Sequence, residues 1–187
     1  RREPVLGVVG DRDRVGLVTF DSQILERVPS SAKHLDVVLH TIDRAVAGRP
    51  GQLRDPLFRM TEFFKRRGIL AIISDFYEEP DVIIDAVKRF RAQGHDVMVF
   101  HILDPAELEF PYDSASSFED LETGVRMPIV PDNLRDQYKQ LIEEHTSTLA
   151  KRFTEYQVDY AVFNTSTPLD YGLFKFLSAR ERMIRLR

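Results

Sequence analysis

Residues 68–107, Gly68-Ile-Leu-Ala-Ile-Ile-Ser-Asp75-Phe-Tyr-Glu-Glu-Pro-Asp-Val-Ile-Ile-Asp-Ala-Val-Lys-Arg-Phe-Arg-Ala-Gln-Gly94-His-Asp-Val-Met-Val-Phe-His-Ile-Leu-Asp104-Pro-Ala-Glu107, decide the fold. An apolar, β-branched run from Ile69 to Ile73 stops at Ser74-Asp75, an amphipathic run begins at Asp81, and Gly94 ends it. A second apolar run, Val97 to Leu103, stops at Asp104-Pro105. Strands that are apolar at nearly every position are buried on both faces, and a helix of about four turns between two of them makes a parallel βαβ unit. Such crossovers are right-handed in about 98% of cases. Because the strands run parallel, Asp75 and Asp104 are expected at the same edge of the sheet, where open α/β folds bind their ligands.

Working outward, RVGLVTF over 14–20 reads as a further strand with both faces apolar, and Asp21-Ser22-Gln23 as a turn into an edge strand over Ile24–Val28. Ser30-Ser31 offers a helix cap, and Leu35, Val38, Leu39, Ile42, Ala45 and Val46 recur at helical spacing as far as Gly48. Leu53, Leu57, Met60, Phe63 and Phe64 mark a second helix. Beyond Asp104 the spacing predicts a meander of short strands at Leu108–Phe110, Ser117–Glu122 and Arg126–Val130. A long helix follows from Pro131 to about Phe153, then a strand over Val158–Phe163, and a final helix from Leu169. Val5–Val9 suits either a strand or an irregular lead-in.

The 187 residues fit one domain, and at that size about 70% of the unfolded surface can be buried. A formal charge of −4 provides no general attraction for nucleic acid, and Lys65-Arg66-Arg67 and the arginine-rich end read as solvated faces. Without cysteine there is no disulfide, thiol nucleophile or thiolate metal site. No apolar run approaches the roughly 20 residues that span a bilayer, so a cytoplasmic domain is the expectation.

Four strands ending at Phe20, Ser74, Leu103 and Phe163 would, if all parallel, line one edge with Asp21, Asp75, Asp104 and Thr165-Ser166-Thr167. Oxygen donors without thiol or imidazole suit a hard cation such as Mg²⁺, and on that reading Asp75 and Asp104 would serve a hydrolase or phosphotransferase. The competing and favoured reading is that these groups cap helices or close turns, Asp75 before the helix at Asp81 among them. Other chemistries find no footing. Arg49-Pro50-Gly51-Gln52 lacks the Gly-Lys-Ser/Thr of a phosphate loop, no G-x-S-x-G occurs, and Asp11-Arg12-Asp13 precedes a strand where a phosphotransfer D-x-D would follow one. His34, His40, His95, His101 and His145 form no metal-ligand motif; His101, inside an apolar strand, and His145, on a helix, read as packed or hydrogen-bonded.

In order, RVGLVTFD, HLDVVLHTID, RRGILAIISDF, GHDVMVFHILDPAELEFP, FEDLETG, DYAVFNTSTPL and a closing L-S-A-R span Asp13 to Arg182. The series resembles the bacterial family called domain of unknown function 58. The resemblance implies a von Willebrand factor A-like fold, doubly wound, with a mostly parallel sheet flanked by helices. It implies a protein-binding rather than an enzymatic role, with a MoxR-type AAA+ ATPase as partner in complex assembly or maturation. The partner-binding edge would comprise Asp21, Ser74, Asp75, Phe76 and Asp104. The adhesion-type cation site of the von Willebrand fold needs D-x-S-x-S, a loop threonine and a strand-end aspartate. Only the aspartate maps, onto Asp75, so no resident cofactor is expected and Mg²⁺ would find an incomplete site. That fold also places a strand and a long helix ahead of the strand matching RVGLVTF, and 14 residues precede Val15. Either 1–187 is a single domain lacking its usual first strand, or residues 1–10 stand in for it.

Overall fold

A computed structural model describes residues 13–45, 53–112, 116–119, 126–129 and 131–185. The expectation for Val5–Val9 and the loop at Arg49–Gly51 fall outside them. The chain divides into two compact units between Arg59 and Met60.

In the first unit β1 (Val15–Phe20) pairs antiparallel with β2 (Ile24–Ser31), with Leu17 opposite Val28 and Phe20 opposite Ile24. Among the described residues β1 pairs only with β2, so the expectation that it joins the other strands in one sheet is not met. Asp21 closes the hairpin, its Oδ1 accepting from the Gln23 amide at 2.9 Å. Helix α1 (Leu35–Arg44) packs on this hairpin with Val38 and Thr41 buried. Ser30-Ser31 does not cap it. Ser31 is still in β2, and the N-cap is His34, whose side chain makes no capping bond. Helix α2 (Arg54–Phe63) crosses the division and buries Leu57 and Met60.

The second unit is built on the quoted stretch. Strands β3 (Ile69–Ser74) and β4 (Asp96–Leu103) are joined through α3 (Pro80–Ala92), and β7 (Asp159–Asn164) lies on the far side of β4. The order is β3-β4-β7, all parallel and in unbroken register, with Ser74 beside His101 and Leu103 beside Asn164. One face carries Ile72, Val97, Val99, His101 and Leu103, all buried. It is covered by α3, through Ile83, Ile84, Val87 and Phe90, and by α5 (Pro131–Glu155), through Leu149 and Phe153. Removing these four α3 side chains from water contributes on the order of 1.5–3 kcal/mol each, which is why the apolar periodicity of α3 dominates its placement.

The opposite face is covered at its β7 side by α6 (Leu169–Arg185), whose Phe176 ring meets Phe100 edge-on at 5.0 Å. Gly172 lets α6 come close: a Cβ there would lie 2.8 Å from the Phe163 ring. Arg180 anchors the same helix by ion pairs to Asp96 and, at 3.1 Å, to Asp159. On the β3 side, among the described residues, Ile69 is 67% and Ile73 57% exposed. Among the described residues, β3 is an edge of its sheet.

The meander is corrected in part. Leu108–Glu109 belong to a short helix, α4 (Pro105–Glu109), and Phe110 caps it in a left-handed conformation. Strands β5 (Ser116–Glu119) and β6 (Arg126–Ile129) pair antiparallel with each other and, among the described residues, add no strand to the parallel sheet. No helix among the described residues is long and apolar enough to cross a membrane.

Candidate functional site

The carboxyl ends of β3, β4 and β7 come together as one hydrogen-bonded edge. At β3 the Ser74 hydroxyl donates to Asp75 Oδ1 at 3.2 Å and accepts from the Phe76 amide at 3.2 Å. Phe76 has φ of 50° and is wholly buried. A left-handed phenylalanine is strained by about 1–2 kcal/mol, and it persists only where packing over-determines it. Its ring lies edge-on to His101, with centroids 5.4 Å apart. This single buried anchor leaves its two neighbours, Asp75 and Tyr77, exposed on either side. The Asp75 carboxylate does not cap the following helix, whose N-cap is Glu79.

At β4, Asp104 does what a strand-end aspartate does before a helix. Its Oδ1 accepts from the Ala106 amide at 2.9 Å while the Glu107 carboxylate accepts from the Asp104 amide at 2.6 Å, a reciprocal capping box for α4. Its Oδ2 accepts from the Thr165 hydroxyl at 3.0 Å, and the Thr165 amide donates to the Leu103 carbonyl at 3.0 Å, extending the β4–β7 pairing past the strand ends. The neighbouring Ser166 hydroxyl and amide both donate to Asn164 Oδ1. The β3 and β4 ends are tied together by Tyr77, which hydrogen-bonds Glu107. Burial, and then that carboxylate, push the Tyr77 hydroxyl well above its usual range. Tyr138 of α5 joins the same cluster through Tyr77, and its ring packs on Phe110 at 4.9 Å. Arg135 donates to the carbonyls of Phe110 and Tyr112 at 3.3 and 2.6 Å.

Beneath the edge, His101 Nδ1 lies 2.7 Å from the Tyr160 hydroxyl, and the ring also hydrogen-bonds the Asp75 backbone. His145 Nε2 lies 3.1 Å from the Phe76 carbonyl. Burial holds the His101 pKa down to about 4; the Asp75 carbonyl opposes this and His145 adds to it. Burial likewise raises the Tyr160 hydroxyl.

The edge thus gathers Ser74, Asp75, Phe76, Asp104 and Thr165, whereas Asp21 closes its hairpin in the other unit. Tyr77, Glu107, Tyr138 and Tyr160 were not anticipated, although the D-P-A-E spacing is a capping-box signature that marks Glu107. Both Asp104 oxygens are engaged, and no three His, Asp or Glu side chains among the described residues converge as ligands.

A parallel α/β sheet flanked by helices, with its polar groups collected at the strands' carboxyl ends, defines the general class, one compatible with Rossmann-like folds. Within it the chain belongs to the family described as protein of unknown function DUF58, which it matches over residues 6–148. It is 26% identical over 181 residues to the uncharacterized protein Rv1480 of Mycobacterium tuberculosis, covering 92% of this chain and 56% of that protein. It is 27% identical over 169 residues to the uncharacterized protein MAV169 of Mycobacterium avium, covering 84% of this chain and 96% of that one. The chain therefore spans little more than half of the Rv1480 length. Among solved structures it is similar to the conserved hypothetical protein BatB of Bacteroides thetaiotaomicron, with a TM-score of 0.56 at 14% identity over 92% of this chain and 81% of that one. An aerotolerance-related membrane protein of Bacteroides fragilis gives a TM-score of 0.50 at 14% identity, over 82% of this chain and 73% of that one. These two likenesses concern the fold.

Proposed function

We propose that this protein is a non-enzymatic docking module of von Willebrand A type that binds a MoxR-type AAA+ ATPase during complex assembly or maturation. The contact surface is the strand-end edge of Ser74, Asp75, Phe76 and Asp104, extended by Tyr77. The observation that carries this reading is the Phe76 anchor: a wholly buried ring in a strained backbone fixes a loop whose flanking Asp75 and Tyr77 side chains are exposed. A rigid loop loses little conformational freedom on binding, so more of its contact energy appears as affinity. The commitment of both Asp104 oxygens to capping and to Thr165 supports a binding surface over a catalytic carboxylate pair. The family resemblance supports the choice of partner.

Co-purification with the MoxR-type ATPase tests it. Wild-type protein is expected to retain the ATPase, and Asp75→Lys combined with Tyr77→Ser to lose at least about tenfold of the capture, the effect of removing a central contact. Equal capture by the double variant, or phosphohydrolase turnover by the isolated chain, would overturn it.

A further inference from the structure

Two histidines that take no part in the exposed edge lie under it, and both face the backbone of the same loop. We propose that His101 and His145 are positioning residues, which with Tyr160 lock the Asp75–Tyr77 loop into one conformation by holding the carbonyls of Asp75 and Phe76. The inference rests on the docking role given to that loop.

Phe76 is left-handed with its ring buried, and the carbonyls of Asp75 and Phe76 on either side of it find donors among the side chains beneath, where a carbonyl without a donor is costly. The neighbouring amides cannot serve both. The Phe76 amide donates to Ser74 Oγ, and the Glu78 amide reaches the Phe76 carbonyl at 2.8 Å. The Asp75 carbonyl is met by His101, and the second lone pair of the Phe76 carbonyl by His145 Nε2.

Proton counting then fixes the tautomers. A carbonyl only accepts, so His101 carries its proton on Nε2, facing Asp75, and His145 carries its own on Nε2, facing Phe76. Neutral His101 must therefore accept at Nδ1, and the donor is the Tyr160 hydroxyl at 2.7 Å. Tyr160 sets the orientation of His101 as surely as a carboxylate orients a metal-bound histidine. The three groups stand on β4, α5 and β7: the loop is held directly from β4 and α5, and through His101 from β7. The rings pack edge-on, Phe76 on His101 at 5.4 Å and His101 on His145 at 5.9 Å.

Amide hydrogen exchange of the chain tests this without any partner. His145→Leu and Tyr160→Phe are expected to accelerate exchange at Tyr77 and Glu78 about tenfold, as loss of a hydrogen bond does, while amides of Val97–Leu103 keep their wild-type rates. His145→Gln, whose amide still donates to the carbonyl, should restore the wild-type rate. Ring ¹⁵N shifts should place the His101 proton on Nε2 in the wild type and on a mixture of nitrogens in Tyr160→Phe. Unchanged loop exchange in both variants, or equal acceleration of sheet and loop, overturns the proposal. If His145→Leu does not fold, Tyr160→Phe, which removes one oxygen atom, decides alone. If instead the loop responds as expected but Asp75→Lys with Tyr77→Ser still captures the ATPase, the clamp stands and the docking reading falls.

Discussion

At the scale of single residues, His101 links the interior to pH. Its folded-state pKa of about 4 lies below the 6.5 of an exposed histidine, so the unfolded chain binds a proton that the native state refuses. Its contribution is complete above pH 6.5 and is lost as the pH falls toward 4. Over that interval the unfolding free energy should decline by up to about 1.4 kcal/mol per pH unit beyond the slope of the carboxylates. Urea titrations between pH 4 and 7 on wild type and His101→Asn check it: a variant as steep as the wild type would remove His101 as the source. The groups acting on this ring are the Asp75 carbonyl and carboxylate, which favour the added proton, and His145 and Tyr160; burial outweighs the pull of Asp75. That His101 is packed was readable from its place in an apolar strand. That Phe76 is left-handed was not, because Ser-Asp-Phe-Tyr contains no glycine or asparagine to announce a positive φ; only the tertiary packing of the ring selects it.

At the scale of elements, α4 shows which local signal prevails. Leu108-Glu109-Phe110 alternates apolar and charged residues as a strand does, but the Asp104–Glu107 capping box and Pro105 at the first turn nucleate a helix through Glu109. Asp104→Ala should therefore destabilise the protein by about 1 kcal/mol, whereas Asp104→Asn, which still accepts from the Ala106 amide, should stay within about 0.5 kcal/mol of wild type. Chemical denaturation measures both, and an asparagine as damaging as alanine would mean that the charge, and not the cap, is what matters. Helix ends repeat the lesson. Gly94, at φ 85°, ends α3 visibly in the sequence, with the His95 amide returning to the Phe90 carbonyl at 3.1 Å. Gln157, at φ 56°, ends α5 by the same geometry, the Val158 amide returning to Phe153 at 2.9 Å, with a residue that gives no such sign. Ser30-Ser31 misled in the other direction, since Ser31 opposite Val15 completes β2 before it could cap anything.

At the scale of the whole molecule, the parallel unit was legible because strands buried between helices must be apolar at both alternate positions, and 69–73 and 97–103 are. What that rule could not foretell is that Ile69, Ala71 and Ile73 lie exposed on one side of β3. The apolar run is the same whether a covering layer is present or not. Nor could the spacing decide that β1 pairs with β2, since pairing depends on neighbours that a single strand does not encode. Strands at sheet margins are ordinarily blunted by lysine, proline or a bulge. Ile69-Leu-Ala-Ile-Ile-Ser74 has no charge, no proline and no register shift against β4. Among the described residues nothing pairs with its outer edge, and a strand of this kind is a template for like segments: the isolated chain should form light-scattering aggregates whose growth steepens with protein concentration and which bind amyloid dyes. Ile69→Lys, on the exposed side, should suppress that growth while leaving unfolding stability within about 0.5 kcal/mol; undiminished scattering by the variant would place the adhesive segment elsewhere.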